Sequence, residues 1–185
     1  MAGLLNFDAT SITAIAFKFE GATTAEQVDC SGSIAVETET QSVQKKCGSA
    51  VIKEITKPTR MTVTVTAHVP IAIFRNFYGL EQGTTTKAGV FSYGDTSNGK
   101  PFALSAQLED DFEETYKLIG FGKARSQSGL TFTVENGADE VAMLEFVATV
   151  EKDALGYWYH ETTEGEATGL TPQAWLTDLN TAVKK

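Results

Sequence analysis

Apolar and polar residues alternate with a period of two along much of the chain. In the clearest case, residues 59–69, apolar side chains occupy every second position and threonine or His68 stands between them. Because successive side chains of a strand point to opposite faces, this pattern predicts a strand with one buried face. The pattern also predicts strands at Ser11–Phe19, around Gly32, and at 102–108, 130–134 and 141–150.

Two Asn-Gly pairs predict tight hairpin turns, because this dipeptide accepts the positive φ angles that such turns require. Asn136-Gly137 separates the last two predicted strands, which we therefore expect to pair with each other. Asn98-Gly99 precedes the strand at 102–108, and we expect residues 89–93 to pair across it.

Only two segments have helical features. Residues 70–78 begin with Pro70, carry apolar residues at helical spacing and are followed by Gly79, which favours a helix end. Residues 171–184 begin with Thr171 and a proline, a favourable cap and first-turn pair. Apolar residues then recur at every fourth position, so this helix has one face that can dock.

The strands precede and follow the internal helix without βαβ alternation, which argues against a parallel sheet. We expect a mainly-β fold, an antiparallel β-sandwich or barrel with one internal flanking helix and a C-terminal helix. The chain, 1–185, is expected to form one domain with its core at about 11–150. Three segments flank or interrupt this core: an N-terminal arm (1–10), a weakly patterned extended loop (about 38–57) and a C-terminal arm with its helix (about 153–185).

The net charge of −9 argues against binding of nucleic acid through the phosphate backbone, which needs cations that release counterions. No cation precedes Lys18, which argues against a signal peptide. No apolar run is long enough to span a bilayer. We expect a protein made in a cytosol, in which Cys30 and Cys47 stay free thiols.

Residues suited to catalysis or cofactor binding do not form a recognisable motif. The pair Gly120 and Gly122 is followed by Arg125 where a dinucleotide-binding loop has its third glycine. His68 and His160 are distant from each other and lack the ligand spacing of a zinc site. We therefore expect no cofactor, no metal and no enzymatic reaction.

Charge is distributed unevenly along the chain. Residues 44–60 contain five cations and one acid, which gives +4 and leaves −13 for the remainder. A basic arm on an acidic body suggests docking onto an acidic neighbour, although a solvated hairpin is the alternative interpretation. The candidate contact residues in this arm are Lys45, Lys46, Lys53, Lys57 and Arg60.

Two further groups are candidates for interaction. A run of acidic residues lacks the spacing and glycine of a calcium loop. It is therefore either a solvated loop or an acidic surface that contacts a partner or lines a lumen. It consists of Glu109, Asp110, Asp111, Glu113 and Glu114. Large apolar residues near the C-terminus are candidate contacts between subunits or between rings, with the core as the alternative place for the aromatic residues at 157–159. They are Tyr157, Trp158, Tyr159, Trp175 and Leu179.

The order of these elements also carries a resemblance. A Thr/Val strand (62–69) leads into the helix that begins with Pro70 and ends in Phe-Tyr-Gly at 77–79. Phe-Ser-Tyr-Gly (91–94), an Asn-Gly turn, Lys-Pro-Phe-Ala-Leu (100–104), Tyr-Lys-Leu (116–118) and a Thr-rich segment around Asn136-Gly137 follow. Over roughly residues 11–150, the chain resembles the major tail protein family, which forms the tail tube of long-tailed, non-contractile bacteriophages.

The resemblance implies a β-sandwich with one flanking helix that forms homohexameric rings. Such rings stack into a tube through long loops and terminal arms. The implied partners are other copies of the chain, a tape-measure protein, a tail terminator and tail-tip proteins, while DNA passes through without specific binding. The implied location is the virion tail, after synthesis in the cytoplasm of a bacterial host. No cofactor and no membrane is involved.

Two alternatives remain open at this point. One is the tube protein of a contractile injection device or a type VI-like secretion device, which uses a similar ring. The other is a carbohydrate-binding or adhesin-like β-sandwich module, for which residues 157–159 supply aromatic side chains.

Overall fold

Eight strands and three short helices make up the part of the chain that the computed structural model describes, residues 7–28, 30–133 and 143–185, without the side chains of residues 30 and 31. The strands are β1 (Ser11–Phe19), β2 (Glu26–Val28), β3 (Cys30–Cys47), β4 (Ala50–His68), β5 (Phe102–Asp110), β6 (Thr115–Ser126), β7 (Leu144–Val150) and β8 (His160–Thr163). The helices are α1 (Ile71–Tyr78), α2 (Pro172–Thr177) and α3 (Leu179–Ala182).

All described strands belong to one antiparallel sheet, in the order β2-β1-β5-β6-β7-β4-β3, and β8 pairs with β6 outside this path. Only one residue separates the end of β2 from the start of β3. The first and last strands of the order are therefore close to each other, so the sheet curls round its core. The predicted mainly-β antiparallel fold is confirmed.

The core is filled by alternate side chains of β1, β4, β5, β6 and β7 together with Ile73, Phe77 and Tyr78 of α1. Aromatic rings dominate this contact. Phe77 of α1 packs edge-on against Phe146 of β7, with 4.8 Å between the ring centroids, and Phe17 lies 5.5 Å from Phe102. Each of these rings is almost fully buried, and burial of such a side chain stabilises the fold by about 1.5–3 kcal/mol.

The internal helix begins and ends as its sequence predicts. Pro70 immediately precedes α1, where a missing N–H costs no helical hydrogen bond. Gly79 then adopts a left-handed conformation with φ 68°, and its N–H donates to the carbonyl of Arg75. This conformation suits glycine because a Cβ would be strained there.

The C-terminal segment differs from the single predicted helix. Thr171 caps α2 as expected, and its Oγ1 accepts a hydrogen bond of 3.2 Å from Ala174 N–H. Asp178 then leaves the helical conformation, with φ −154° and ψ 82°, and separates α2 from α3. Its carboxylate lies 2.6 Å from Lys18 Nζ and accepts a hydrogen bond from Thr181. This contact with β1 accompanies the break.

Two predicted pairings do not form as expected. Residues 89–93 form no strand, and only an isolated bridge joins Glu81 to Ser92. Residues 130–133 are also outside any strand, and β7 pairs with β4 and β6 instead. The predicted turn at Asn136-Gly137 lies outside the described residues.

Candidate interaction surface

Strands β3 and β4 continue well beyond the body of the sheet. β7 pairs with β4 only from Met61 to Ala67, whereas β3 pairs with β4 as far as Cys47 and Ala50. Residues 39–60, hereafter the ribbon, therefore form a two-stranded hairpin about 35 Å long. Residues 39–59 are all exposed. The prediction of a weakly structured loop at 38–57 was wrong, because the two strands pair throughout.

The register gives the ribbon two different faces. Val43 lies opposite Ile55, and Lys45 lies opposite Lys53 on the same side of the ribbon. Lys57 follows on that side, opposite a glutamine. The three lysines and the apolar pair on this side, five residues in all, are called the basic face.

The opposite face of the ribbon is polar and nearly uncharged. Ser42 lies opposite Thr56, with 2.8 Å between their hydroxyl oxygens, and Gln44 lies opposite Glu54. Three of the five predicted basic contact residues, Lys45, Lys53 and Lys57, are thus brought together on one face.

The other two predicted cations lie at the ends of the ribbon. Lys46 pairs with Val51 beside a register shift near the tip. Arg60 lies at the root, where one guanidinium nitrogen is 3.8 Å from a Glu39 carboxylate oxygen and another donates to Thr149 Oγ1. None of the four ribbon lysines pairs with a described carboxylate.

The two edges of the ribbon also differ. β3 is the last strand of the sheet order and contains no proline along its 18 residues. The β4 edge carries Pro58, which lacks a donor, and a register shift beside Thr59. Proline and irregularity block strand addition, so the β3 edge is the one open to another strand.

The acidic run forms the turn between β5 and β6, and we call residues 109–114 the acidic turn. Asp111, Glu113 and Glu114 are exposed, and Glu109 is half-buried. Asp110 is buried, which corrects its prediction as part of an acidic surface.

The buried position of Asp110 follows from its hydrogen bonds. It accepts bonds from the backbone N–H groups of Asp8, Phe112 and Glu113, at 2.8, 3.0 and 3.3 Å. The bond from Asp8, which outweighs the opposing effect of burial, together with the other two keeps the pKa of Asp110 below its ordinary value of 3.8.

These bonds fix the conformation of the acidic turn. Thr10 adds a hydroxyl bond of 2.8 Å to the Asp111 carboxylate, and Glu114 takes a positive φ of 49°. The result is that Phe112 points away from the body with 81% of its surface exposed. An apolar side chain is therefore displayed on an ordered turn between carboxylates.

The ribbon and the acidic turn lie at the same end of the sheet. β4 and β6 both run antiparallel to β7, so they run parallel to each other. β4 begins at the ribbon tip and β6 begins at the acidic turn. The sheet twist of about 20–25° per strand does not reverse this direction over two strand steps.

The aromatic residues after β7 divide between surface and core. Tyr157 is 61% exposed. Trp158 and Tyr159 are half-buried and pack against the core, and the Tyr159 hydroxyl donates to Glu161 at 2.7 Å. Burial raises the pKa of Tyr159, and the bond to Glu161 adds to this effect. Of these three, Tyr157 is the one most available to a partner.

Trp175 and Leu179 do not belong to any surface. Both are 2% exposed and pack with Leu118 of β6. Trp175 Nε1 donates a 2.9 Å hydrogen bond to the carbonyl of Ile119. Their prediction as inter-subunit contacts was wrong, because the helical face they share docks inside the chain.

One ionisable pair is enclosed near the C-terminal segment. His160 Nε2 lies 2.7 Å from Asp153 Oδ2. Burial opposes ionisation of Asp153, but the bonds from His160, Tyr157 N–H and Leu155 N–H outweigh it and lower its pKa. Asp153 also borders an open groove of about 410 Å³ whose lysines are Lys18, Lys123 and Lys184. Lys18 and Lys123 are already paired with carboxylates. The remaining lysine, the exposed Lys184, does not by itself indicate a particular ligand.

Sequence reasoning missed the apolar part of this surface. Val43, Ile55 and Phe112 stand among charged residues, so their side chains do not form a run that periodicity detects. The detectable signal was local: Phe112 is an aromatic residue between two acidic ones, and Val43 and Ile55 are strand-favouring residues in a basic segment.

Two further findings concern the described residues only. Within residues 7–28, 30–133 and 143–185, no three His, Cys, Asp or Glu side chains are grouped so that they could hold a metal ion. None of the three helices found there is long and apolar enough to cross a membrane.

No family model matches the chain, and no curated protein matches it in sequence.

Proposed function

We propose that this chain is a structural subunit that assembles with copies of itself into rings and then a tube, as the resemblance to phage major tail proteins implies. The observation that supports this proposal best is the ribbon. It extends from the body of the sheet, exposes apolar side chains on both strands, and pairs with β7 only at and beyond its root.

A ribbon of this kind needs a partner for stability. An isolated two-stranded hairpin is at best marginally stable in water. The apolar residues that it exposes, at 45–62% of their surface, are Val43, Val51, Ile52 and Ile55. Complete burial of such a side chain contributes roughly 1.5–3 kcal/mol, so covering the exposed half of each would contribute about half of that. The gain from several such residues would offset the ordering of the ribbon.

The open β3 edge supports the same conclusion. A long strand edge without proline is a template for pairing with another chain. If a second copy contributes a strand other than its own β3, the contact joins two different surfaces of the same protein. Contacts of this head-to-tail kind close into rings or grow into filaments.

The charge distribution suits a conduit for DNA. Six copies carry about −54 in total, from −9 per chain. Negative charge facing the lumen would repel the phosphate backbone, so that DNA slides through without adhering. The proposed location is the virion tail, with a tape-measure protein, tail terminator and tail-tip proteins as further partners.

The alternatives predict different behaviour. A tube from a contractile injection or type VI-like device would assemble in the same way, and its presence in purified virions or in a secretion apparatus separates the two. A carbohydrate-binding module would bind glycans through exposed aromatics such as Tyr157 and would remain monomeric.

The proposal is tested by removing the ribbon. Thr38 and Met61 are directly opposite each other at its root, so replacement of residues 39–60 by Asn-Gly gives a two-residue hairpin turn. Sedimentation velocity over a range of concentrations measures assembly, and circular dichroism checks folding. We expect the full chain to form large species and the shortened chain to remain a folded monomer. Equal assembly of both chains would contradict the role of the ribbon.

A further inference from the structure

We propose that the acidic turn of one copy docks on the basic face of the ribbon of a neighbouring copy, with Phe112 inserted beside Val43 and Ile55. This inference rests on the proposed self-assembly and names the residues that make the contact. It commits to a second copy of this chain as the occupant of the basic face.

The acidic turn has the properties of a preorganised knob. Phe112 is 81% exposed, yet its backbone N–H is bonded to Asp110. Asp111 is fixed by Thr10, whose hydroxyl donates to its carboxylate and accepts from its backbone N–H. Because the turn is already ordered, little conformational entropy is lost when it docks.

The basic face has the complementary properties. Lys45 and Lys53 are directly opposite each other, and like charges in such a pair are destabilising. The neighbouring row is the apolar pair Val43 and Ile55, about 7 Å away along the strands. A carboxylate beside the two lysines would remove the repulsion, while an apolar ring covers the adjacent pair.

The acidic turn presents the complementary combination of groups. Asp111 and Glu113 flank Phe112 in the chain, so carboxylates and an aromatic ring arrive together. Adjacent charges and apolar groups on both sides fix the register of the contact as well as its strength.

The positions of the two surfaces indicate which neighbour makes the contact. Both lie at the same end of the sheet, as the directions of β4 and β6 show. Neighbours within one ring are related by rotation about the ring axis, which keeps the same end of every copy on the same side. The contact therefore fits adjacent copies within a ring better than copies in successive rings.

Charge reversal tests this contact in the full chain. The ribbon variant carries Lys53→Glu and Lys57→Glu, and the turn variant carries Asp111→Lys and Glu113→Lys. We expect each alone to raise the concentration for half-assembly roughly tenfold or more. An equimolar mixture of the two is expected to assemble again, because each reversed surface then meets its complement on the other variant.

A matched control carries Lys87→Glu and Lys100→Glu, which changes the net charge as the ribbon variant does. Both lysines are exposed and lie outside the two surfaces and outside the terminal arms. We expect it to assemble like the unmodified chain. Unmodified assembly of both reversed variants, or a mixture that stays monomeric, would overturn the inference and leave the proposed function intact. An unmodified chain that remains monomeric at all concentrations would overturn both.

A photo-crosslinking amino acid at position 112 identifies the receptor directly. We expect cross-linked peptides between position 112 and residues 39–60 of another copy, identified by mass spectrometry. The alternative receptor is the apolar groove of about 340 Å³ at the root of the ribbon, lined by Val36, Met61 and Leu108. Cross-links to that groove, with none to the ribbon, would overturn the inference.

Discussion

Val43 and Ile55 lie directly opposite each other on the two strands of the ribbon and remain 62% and 45% exposed. A cross-strand pair of β-branched residues stabilises a hairpin modestly, but it leaves apolar surface in contact with water. The pair lies between lysines, on a segment that has no support from the rest of the sheet.

Replacement of this pair tests whether it is an assembly contact. We expect the double variant Val43→Ser and Ile55→Ser to weaken assembly by roughly tenfold or more, because buried apolar area is lost from the contact. Sedimentation velocity gives the dissociation constant. The matched control is Ser42→Ala with Thr56→Ala on the opposite face, which we expect to have a smaller effect. A larger effect from the control would show that the contact uses the opposite, polar face of the ribbon.

Hydrogen exchange reports on the ribbon independently of any substitution. Its strands have few buried contacts, so we expect amides in residues 39–60 to exchange much faster than those of β5 and β6 in dilute protein. On assembly the same amides are expected to become protected. Exchange mass spectrometry of dilute and assembled samples measures the difference. Unchanged exchange on assembly would argue that the ribbon remains free.

The buried Trp175 provides a prediction about the fold itself. Trp175→Ala is expected to lower the free energy of unfolding by about 3–5 kcal/mol, because it removes core packing and leaves the Ile119 carbonyl without its partner. Tyr157→Ala is the control, and as an exposed side chain it is expected to change stability by about 0.5 kcal/mol or less. Urea unfolding at low protein concentration compares them. Similar values for both would contradict the observed burial.

Gly120 and Leu179 form a tightly fitted pair. A Cβ at Gly120 would lie 2.6 Å from a methyl carbon of Leu179, too close without movement. We expect Gly120→Ala to destabilise the protein by about 1–3 kcal/mol, and Leu179→Ala by about 2–5 kcal/mol. The double variant should lose less than the sum, because the shortened side chain makes room for the methyl group. Additive losses would show that the two residues are not in contact.

The lowered pKa of the Asp110 carboxyl makes the stability of the fold depend on pH. Its folded pKa is below 3.8, so ionised Asp110 stabilises the folded state above about pH 4, and this contribution is lost as the pH falls further. We expect Asp110→Asn to lower stability at neutral pH and to reduce the loss that accompanies acidification. Urea unfolding at pH 7, 5 and 3 gives both values. An unchanged acid dependence in the variant would contradict the role of Asp110.

The parts of the fold that sequence predicted well are those with one buried face. β1 has the predicted bounds, and all but the last residue of the alternation at 59–69 falls within β4, since core burial imposes the period of two. α1 was predicted from its proline start and glycine end. In each case the local residue preferences and burial in the core favour the same secondary structure.

The missed elements are of two kinds. In some, neither face is buried, and in others the conformation depends on contacts between residues far apart in the chain. The ribbon has no apolar alternation to detect because both its faces are in water. β8 is four polar residues held by pairing with β6. Asp110 differs from its acidic neighbours through a backbone hydrogen bond from Asp8, about a hundred residues away in the chain. A single sequence does not reveal such a contact.

Electron microscopy of the purified, concentrated protein tests the central claim of self-assembly most directly. We expect negatively stained images to show rings, or tubes of stacked rings, with a central hole, and to show none for the chain that lacks residues 39–60. Fields containing only discrete compact particles at every concentration and salt condition would contradict the proposal.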